Sequence, residues 1–186
     1  VLGQLGSMSV LVGEAIQPTA AQAEITEIPG ASGSDGTASA TGDGAFAIGV
    51  SATADGISAI AIGRQANALH NKSIALGYNS SASGTNSIAS GANSNASGTS
   101  AIAIGRSSNA NSSDALALGV SATAKADGAI AIGTSSEANE EDAIALGHSA
   151  KATDAKSIAI GADANANGQG IAIGVDSTSS ATNGLA

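Results

Sequence analysis

Side chains suited to acid–base or metal chemistry are few in this chain of 186 residues, and they lie far apart. His70 and His148 fall in separate connecting segments, where a solvated histidine is the ordinary interpretation and a catalytic group the alternative. Glu140-Glu141-Asp142 places three carboxylates in succession, which is typical of a solvated acidic turn and, alternatively, of a cation or ligand contact. There is no cysteine, so thiol and disulfide chemistry are excluded. We expect no catalytic residue and no enzymatic activity.

One stretch matches the start of the consensus sequence of a calcium-binding loop. Asp163 to Gly168 reads D-A-N-A-N-G, the opening of an EF-hand loop, but the twelfth position is Gly174 instead of the bidentate glutamate of that loop. We therefore expect no metal site and no cofactor. Four asparagines begin N-x-S sequons, namely Asn71, Asn79, Asn95 and Asn111. Such matches arise often by chance in a chain rich in Asn and Ser, so we interpret them as incidental, with modification as the alternative.

The feature that does recur at a fixed spacing is an apolar word of five residues, such as AIAIG. It ends in glycine ten times, and nine intervals separate these glycines, eight of fourteen residues and a last one of thirteen. Internal repeats of this kind decide the architecture of a chain. We expect each closing glycine to occupy a tight turn with positive φ or to allow close approach of backbones from coil to coil. The ten turn glycines are Gly49, Gly63, Gly77, Gly91, Gly105, Gly119, Gly133, Gly147, Gly161 and Gly174.

The aligned copies read [AS]-[IFL]-A-[IL]-G-x-x-[AS]-x-A, followed by four variable residues. A period of fourteen accommodates two strands of about five residues and two turns, so it predicts one coil of a β-solenoid. The small-polar-small half alternates as a strand with one buried face does. The first half is apolar at every position, which is typical of strands covered on both faces. Its outer face therefore needs a second cover, and identical chains packed around an axis would supply it.

Large and small residues of each word project to opposite sides of the strand. We expect the large residues to fill the interior of the roll, and the small ones to allow close approach of a neighbouring chain; the reverse assignment stays open. The predicted roll core consists of Phe46, Ile48, Ile60, Ile62, Ile74, Leu76, Ile88, Ile102, Ile104, Leu116, Leu118, Ile130, Ile132, Ile144, Leu146, Ile158, Ile160, Ile171 and Ile173.

Composition and charge limit the classes of partner. Only 11% of the residues are charged and the net charge is −9, which argues against nucleic acid or an anionic membrane surface as the partner. No apolar run approaches the roughly 20 residues of a membrane-spanning helix, so any membrane anchor is expected outside this chain. Large aliphatic residues kept in fixed columns argue against low-complexity disorder.

The register divides the chain into two parts. Residues 1–36 are out of register, and we expect them to form a cap or linker; Ala21-Gln22-Ala23 resembles a signal-peptidase site, so a signal-peptide remnant is the alternative. Residues 37–186 form the repeat domain. Gly184-Leu185-Ala186 begins an eleventh word that is cut off, so we expect the array to continue beyond Ala186.

The words SIAIG, AIAIG and SIALG, followed by x-x-[AS]-x-A, resemble the head repeats of trimeric autotransporter adhesins, the YadA-like heads of Gram-negative bacteria. The resemblance covers about residues 37–186. It implies an all-β fold, a left-handed parallel β-roll in which three identical chains interlock into one head. It also implies a position at the bacterial cell surface, held by a stalk and a C-terminal outer-membrane anchor that are not present in this chain.

The resemblance further implies a non-enzymatic function, namely adhesion to host extracellular matrix, host cells or sister bacteria. It indicates no ligand-binding residue, because the shared residues are those of the scaffold. Contacts repeated along such a rod would act polyvalently, and the exposed turns at Asn71-Lys72, Arg106 to Ser108 and Glu140 to Asp142 are the candidate contact points. One alternative is a structural spacer within a long surface fibre. Another is an ice-binding solenoid, although the outward column from Thr53 to Thr178 is neither uniform nor flat.

Overall fold

The computed structural model of the chain describes residues 38–180 and 184–186. Within this part, short strands and turns alternate and build two parallel sheets, which face each other along the length of the molecule. The predicted cap or linker, residues 1–36, lies outside the described residues.

Strands of two residues form the first sheet, sheet A, and strands of three residues form the second, sheet B. Sheet A consists of β1 (Ser39–Ala40), β3 (Thr53–Ala54), β5 (Asn67–Ala68), β7 (Ser81–Ala82), β9 (Asn95–Ala96), β11 (Asn109–Ala110), β13 (Thr123–Ala124), β15 (Glu137–Ala138), β17 (Lys151–Ala152), β19 (Asn165–Ala166) and β21 (Thr178–Ser179). Sheet B consists of β2 (Phe46–Ile48), β4 (Ile60–Ile62), β6 (Ile74–Leu76), β8 (Ile88–Ser90), β10 (Ile102–Ile104), β12 (Leu116–Leu118), β14 (Ile130–Ile132), β16 (Ile144–Leu146), β18 (Ile158–Ile160) and β20 (Ile171–Ile173).

Each strand pairs in parallel with the equivalent strand of the next coil, so that identical columns of the repeat lie on top of one another. Ile60 is opposite Ile74 in sheet B, and the shortened coil keeps this register with Ile158 opposite Ile171. Leu185 forms a parallel bridge with Ile171, in register with the columns. With about 4.8 Å between strands, ten words make a rod of roughly 45 Å. The prediction of an all-β, parallel β-roll is confirmed.

The interior of the roll consists of small residues from both sheets. Ala61 and Ala68 are fully buried, and serine replaces alanine at several interior positions, such as Ser80. The Ser80 hydroxyl donates a hydrogen bond of 3.0 Å to the carbonyl oxygen of Gly77, and other interior serines repeat this bond to the residue three before them. Serine is therefore accommodated without leaving a buried hydroxyl unpaired.

The predicted roll core of large residues is wrong, and the reverse assignment is right. Ile62 is 38% exposed and Ile173 is 56% exposed, while the alanines beside them are buried. Coils of fourteen residues bring the two sheets so close together that only side chains as small as those of alanine and serine fit between them. Every one of the predicted core residues lies on the outer side of sheet B, and none is buried: Phe46, Ile48, Ile60, Ile62, Ile74, Leu76, Ile88, Ile102, Ile104, Leu116, Leu118, Ile130, Ile132, Ile144, Leu146, Ile158, Ile160, Ile171 and Ile173.

The glycine that ends each word lies at the turn from sheet B to sheet A, with φ between 125° at Gly49 and 141° at Gly119. A Cβ atom built on Gly119 would lie 2.5 Å from the carbonyl oxygen of Gly133 in the next coil. Both the backbone conformation and the close approach therefore exclude a side chain there.

Replacing a turn glycine should destabilise the roll strongly. We expect Gly119→Ala to lower the free energy of unfolding by about 2–4 kcal/mol, because it adds a strained φ to a clash with backbone atoms. The measurement is the midpoint of thermal or denaturant unfolding, followed by far-UV circular dichroism.

The control is Gly128→Asn, at the other turn. Gly128 has a φ of 67°, Asn86 has a φ of 57° at the equivalent position, and the nearest atom to an added Cβ belongs to the flexible side chain of Asp142. A change of less than about 1 kcal/mol is expected there. Equal losses in the two variants would contradict the assignment of Gly119.

The narrow interior gives a second prediction. Ala103 is fully buried, so Ala103→Val should overpack the roll and lower the free energy of unfolding by about 1–3 kcal/mol. The same unfolding measurement checks it. Ala162→Val is the matched control, because Val50, Val120 and Val175 already occupy its column on the outside of the roll. If Ala103→Val were as stable as the control, the interior would be wider than the structure indicates.

Candidate functional site

The roll has four outer surfaces, which the repeat defines. The apolar ladder is the outer face of sheet B, formed by the large residues from Phe46 to Ile173, and the polar face is the outer face of sheet A, from Thr53 to Thr178. The first-turn edge comprises the residues that lead from sheet B into sheet A, such as Gly63 to Ala66. The second-turn edge comprises those that lead from sheet A to the next coil, such as Leu69 to Lys72.

The apolar ladder consists of two columns of large side chains along the whole rod. Ile60 stacks on Ile74 in one column and Ile62 on Leu76 in the other, and Ser90 is the single polar residue among the ladder positions of strands β2 to β20. Monomeric soluble proteins rarely expose a contiguous apolar surface of this length. The ladder is therefore a candidate binding surface.

The polar face carries the outward residue of each sheet A strand. Its column reads Thr, Asn, Ser, Asn, Asn, Thr, Glu, Lys, Asn and Thr from Thr53 to Thr178, so it is mixed in size and charge. Lys151 Nζ lies 3.7 Å from Glu137 Oε1, with the two side chains 48% and 38% exposed. An ion pair this exposed contributes about 1 kcal/mol at most.

The second-turn edge carries most of the carboxylates, including Glu140, Glu141 and Asp142, which are all exposed. Some carboxylates of this edge cap the neighbouring coil. Asp154 Oδ2 accepts a hydrogen bond of 2.6 Å from the Gly168 amide, beside an open cavity of about 390 Å³ lined by Glu140, Asp154, Ala155, Gly168 and Gln169. In the described ranges, no group of three or more His, Asp or Glu side chains is arranged so that it could hold a metal ion.

The other candidate residues from the sequence are kept apart by the fold. His70 lies on the second-turn edge and His148 on the first-turn edge, both exposed and several coils apart. In the segment from Asp163 to Gly168, Ala164 and Ala166 are buried in the roll. Asp163 therefore lies on the first-turn edge and Gly168 on the second-turn edge. A segment that crosses the roll as a strand is not a loop that encloses a cation.

The asparagines of the sequons take part in contacts between coils. Asn71 Oδ1 accepts a hydrogen bond of 3.0 Å from the Ile57 amide. Asn79 Nδ2 donates to Asn93 Oδ1 at 2.9 Å, and Asn95 Nδ2 donates to Asn111 Oδ1 at 3.3 Å. These bonds give the asparagines a structural role between successive turns.

One feature of the first-turn edge escaped the sequence analysis. Arg64 and Tyr78 follow successive turn glycines, and the Arg64 guanidinium carbon lies 4.6 Å from the centre of the Tyr78 ring. Arg106 follows a later turn glycine in the same column. The sequence carries a signal for this contact, because Arg64, Tyr78 and Arg106 all fall in the column after the glycine.

The described residues include no helix that is long and apolar enough to cross a membrane.

The comparisons with known proteins agree with this geometry. The family model described as the YadA head domain repeat matches residues 40–66, 54–80, 82–108, 96–114, 110–136 and 138–164, which together make up more than half of the chain. The chain belongs to the YadA head family. The crystal structure of the collagen-binding domain of the Yersinia adhesin YadA is similar, with 32% sequence identity and a TM-score of 0.54, over 80% of this chain and 68% of that chain. No curated protein sequence matches the chain.

Membership in this family gives the roll an adhesin-type function. The family fold is non-enzymatic, and the family is one of surface-exposed adhesins. The four outer surfaces are therefore the candidate surfaces for binding. The ladder, the edges and the polar face differ enough in chemistry to serve different contacts.

Proposed function

We propose that the chain is the head of a homotrimeric surface adhesin, in which three apolar ladders pack against one another around a common axis. The observation that carries this proposal is the ladder itself. Its large side chains lie outside the roll, and each Ile or Leu taken fully out of water contributes roughly 1.5–3 kcal/mol. A cyclic trimer covers all three ladders at once and leaves the polar faces in water.

The ligand that we propose is an extracellular-matrix protein, and collagen is the first candidate. The similar Yersinia domain is a collagen-binding domain. The roll and the collagen triple helix are both long structures with a regular repeat, so they can make the same contact several times. Three rolls present each turn three times around the axis, and the turns recur along it. Weak contacts repeated in this way give high avidity through effective concentration.

The proposal places the head outside the cell, at the bacterial surface. Binding is the activity that the proposal assigns to it, and His70 and His148 lie in exposed turns several coils apart. A structural spacer in a surface fibre is the outcome that remains if the trimer forms but no matrix ligand binds.

The ladder predicts the oligomeric state. We expect the chain to have three times its monomer mass of 17.4 kDa in solution. We expect the double variant Ile102→Asp/Ile130→Asp to lose that mass, because each head would then bury six unpaired carboxylates at the axis. Static light scattering with size-exclusion chromatography measures this, and circular dichroism checks that the strands persist.

The control is Asn109→Asp/Thr123→Asp, which adds the same two charges to the polar face of the neighbouring strands. This variant should keep the mass of the unchanged protein. A monomeric unchanged protein with a β-rich spectrum would refute the trimer, and so would equal loss of mass in both variants.

The ligand proposal predicts binding of the trimer to immobilised triple-helical collagen. We expect the trimer to bind at least about tenfold more tightly than the Ile102→Asp/Ile130→Asp variant, because avidity is lost with the trimer. Surface plasmon resonance measures this, with heat-denatured collagen as the control surface. An intact trimer that binds neither surface would refute the matrix ligand and favour the spacer.

A further inference from the structure

Charge is unevenly distributed over the roll, both along it and across it. Residues 56–113 contain Arg64, Lys72 and Arg106 and no carboxylate, although the chain as a whole has a net charge of −9. Most described carboxylates lie on the second-turn edge. On the first-turn edge, the segments from Gly49 to Ala162 carry no carboxylate, so this stretch of the edge is basic.

Arg64 differs from an ordinary surface cation. Arg64 is stacked over Tyr78, with 4.6 Å from its guanidinium carbon to the ring centre. Such stacking holds the guanidinium in place and leaves its donors free to meet an anion. The ion pair of the described residues is elsewhere, between Lys151 and Glu137. Arg64 and Arg106 therefore keep their charge available to a ligand.

The same column forms a slot beside the tyrosine. Its successive residues are Arg64, Tyr78, Ala92 and Arg106, one for each coil. Arg64 lies over the ring, and Ala92, the next residue of the column toward Arg106, has only a methyl side chain. Two coils separate Tyr78 from Arg106 and three separate the arginines, which is about 10 Å and about 14 Å at the usual strand spacing.

Polar groups line the base of this slot. Asn79 and Asn93 stand beside Tyr78 and Ala92, and Asn79 Nδ2 donates to Asn93 Oδ1 at 2.9 Å. Tyr78 itself is 44% exposed. An aromatic face flanked by fixed cations and amide groups suits a ring with an apolar face, hydroxyl groups and anionic substituents.

We propose that this part of the first-turn edge binds a sulfated polysaccharide. A sugar ring stacks on the exposed ring of Tyr78, and sulfate groups on it and on the adjoining sugars meet the guanidinium groups of Arg64 and Arg106. The planar guanidinium matches the oxygens of such groups with paired hydrogen bonds. The proposal deepens the proposed adhesin function and rests on it, because it names a second class of ligand for the same surface-exposed head.

The net negative charge of the chain does not prevent this binding. The Debye length at physiological salt is about 8 Å. The carboxylate of Asp163, on the same edge as Arg106, lies four coils further along the rod, at about 19 Å. Local charge therefore decides the interaction with a short sulfated segment. A long polyanion such as duplex nucleic acid would extend over the acidic coils.

The test is surface plasmon resonance on immobilised heparin at about 0.15 M salt, where exposed charges are screened as in tissue. We expect the unchanged protein to bind. We expect Arg64→Gln/Arg106→Gln to bind about tenfold more weakly, because two exposed charge contacts are lost from every chain. Tyr78→Leu should weaken binding several-fold, because it removes the aromatic face and releases Arg64.

Lys125→Gln/Lys156→Gln is the matched control. It makes the same change in net charge on the second-turn edge, and we expect less than about a twofold effect on heparin binding. Equal weakening in the two double variants would overturn the proposal, because net charge alone would then explain the binding. Equal affinity for hyaluronan, which has carboxylates but no sulfate, or for duplex DNA would also overturn it.

Collagen binding and solution mass, measured on the same samples, separate this proposal from the proposed function. A trimer that binds collagen but not heparin would refute the glycan proposal alone. Loss of the trimer mass in Arg64→Gln/Arg106→Gln would also refute it, because the arginines would then lie between copies of the chain. Unchanged mass and collagen binding, with heparin binding lost, is the result that supports it.

Discussion

Backbone hydrogen bonds between equivalent segments of successive coils are the interaction on which the rest of this structure depends. The Ile60 amide donates to the Ser73 carbonyl at 2.9 Å, and the Gly77 amide donates to the Ile62 carbonyl at 2.8 Å. Each coil supplies the pairing partners of the next, so a strand of two or three residues is stable only within the stack. In-register pairing also repeats every local conformation at the same place, which is why one turn glycine is followed by nine others.

The short coils that stack in this way also enclose a narrow interior. Alanine and serine fill the space between the sheets, and the larger residues are directed outward. A monomer folded in this way has satisfied its backbone and its small core, but it still exposes its most hydrophobic side chains. In the proposed trimer, burial of the ladder would couple the stability of each roll to its assembly.

The same geometry places the residues that maintain the fold and the residues available for binding in different columns of the repeat. The inward columns and the turn glycines are constrained by packing, whereas the residues between them vary without disturbing the stack. Arg64, Tyr78 and Arg106 occupy one such variable column, and the acidic turn from Glu140 to Asp142 occupies others. A roll of this kind can therefore carry different charges on its two edges and at different heights. Differences of charge between neighbouring surfaces are suited to selective binding.

The sequence by itself determined the coil. The fourteen-residue period, the alternation in one half of the repeat and the glycine that closes each word were sufficient to predict strands, turns and parallel stacking, because each follows from local backbone geometry. Which side chains of each apolar word face the interior of the roll depends on the tertiary structure. Large and small residues alternate in Ala59 to Ile62, and such a pattern fits either face of a strand. Hydrophobicity alone favours isoleucine inside, but the distance between the sheets, which depends on closure of the whole coil, admits only alanine and serine there. The repeat places Arg64 and Tyr78 in one column, but their stacking depends on how the two side chains turn, which the repeat does not determine.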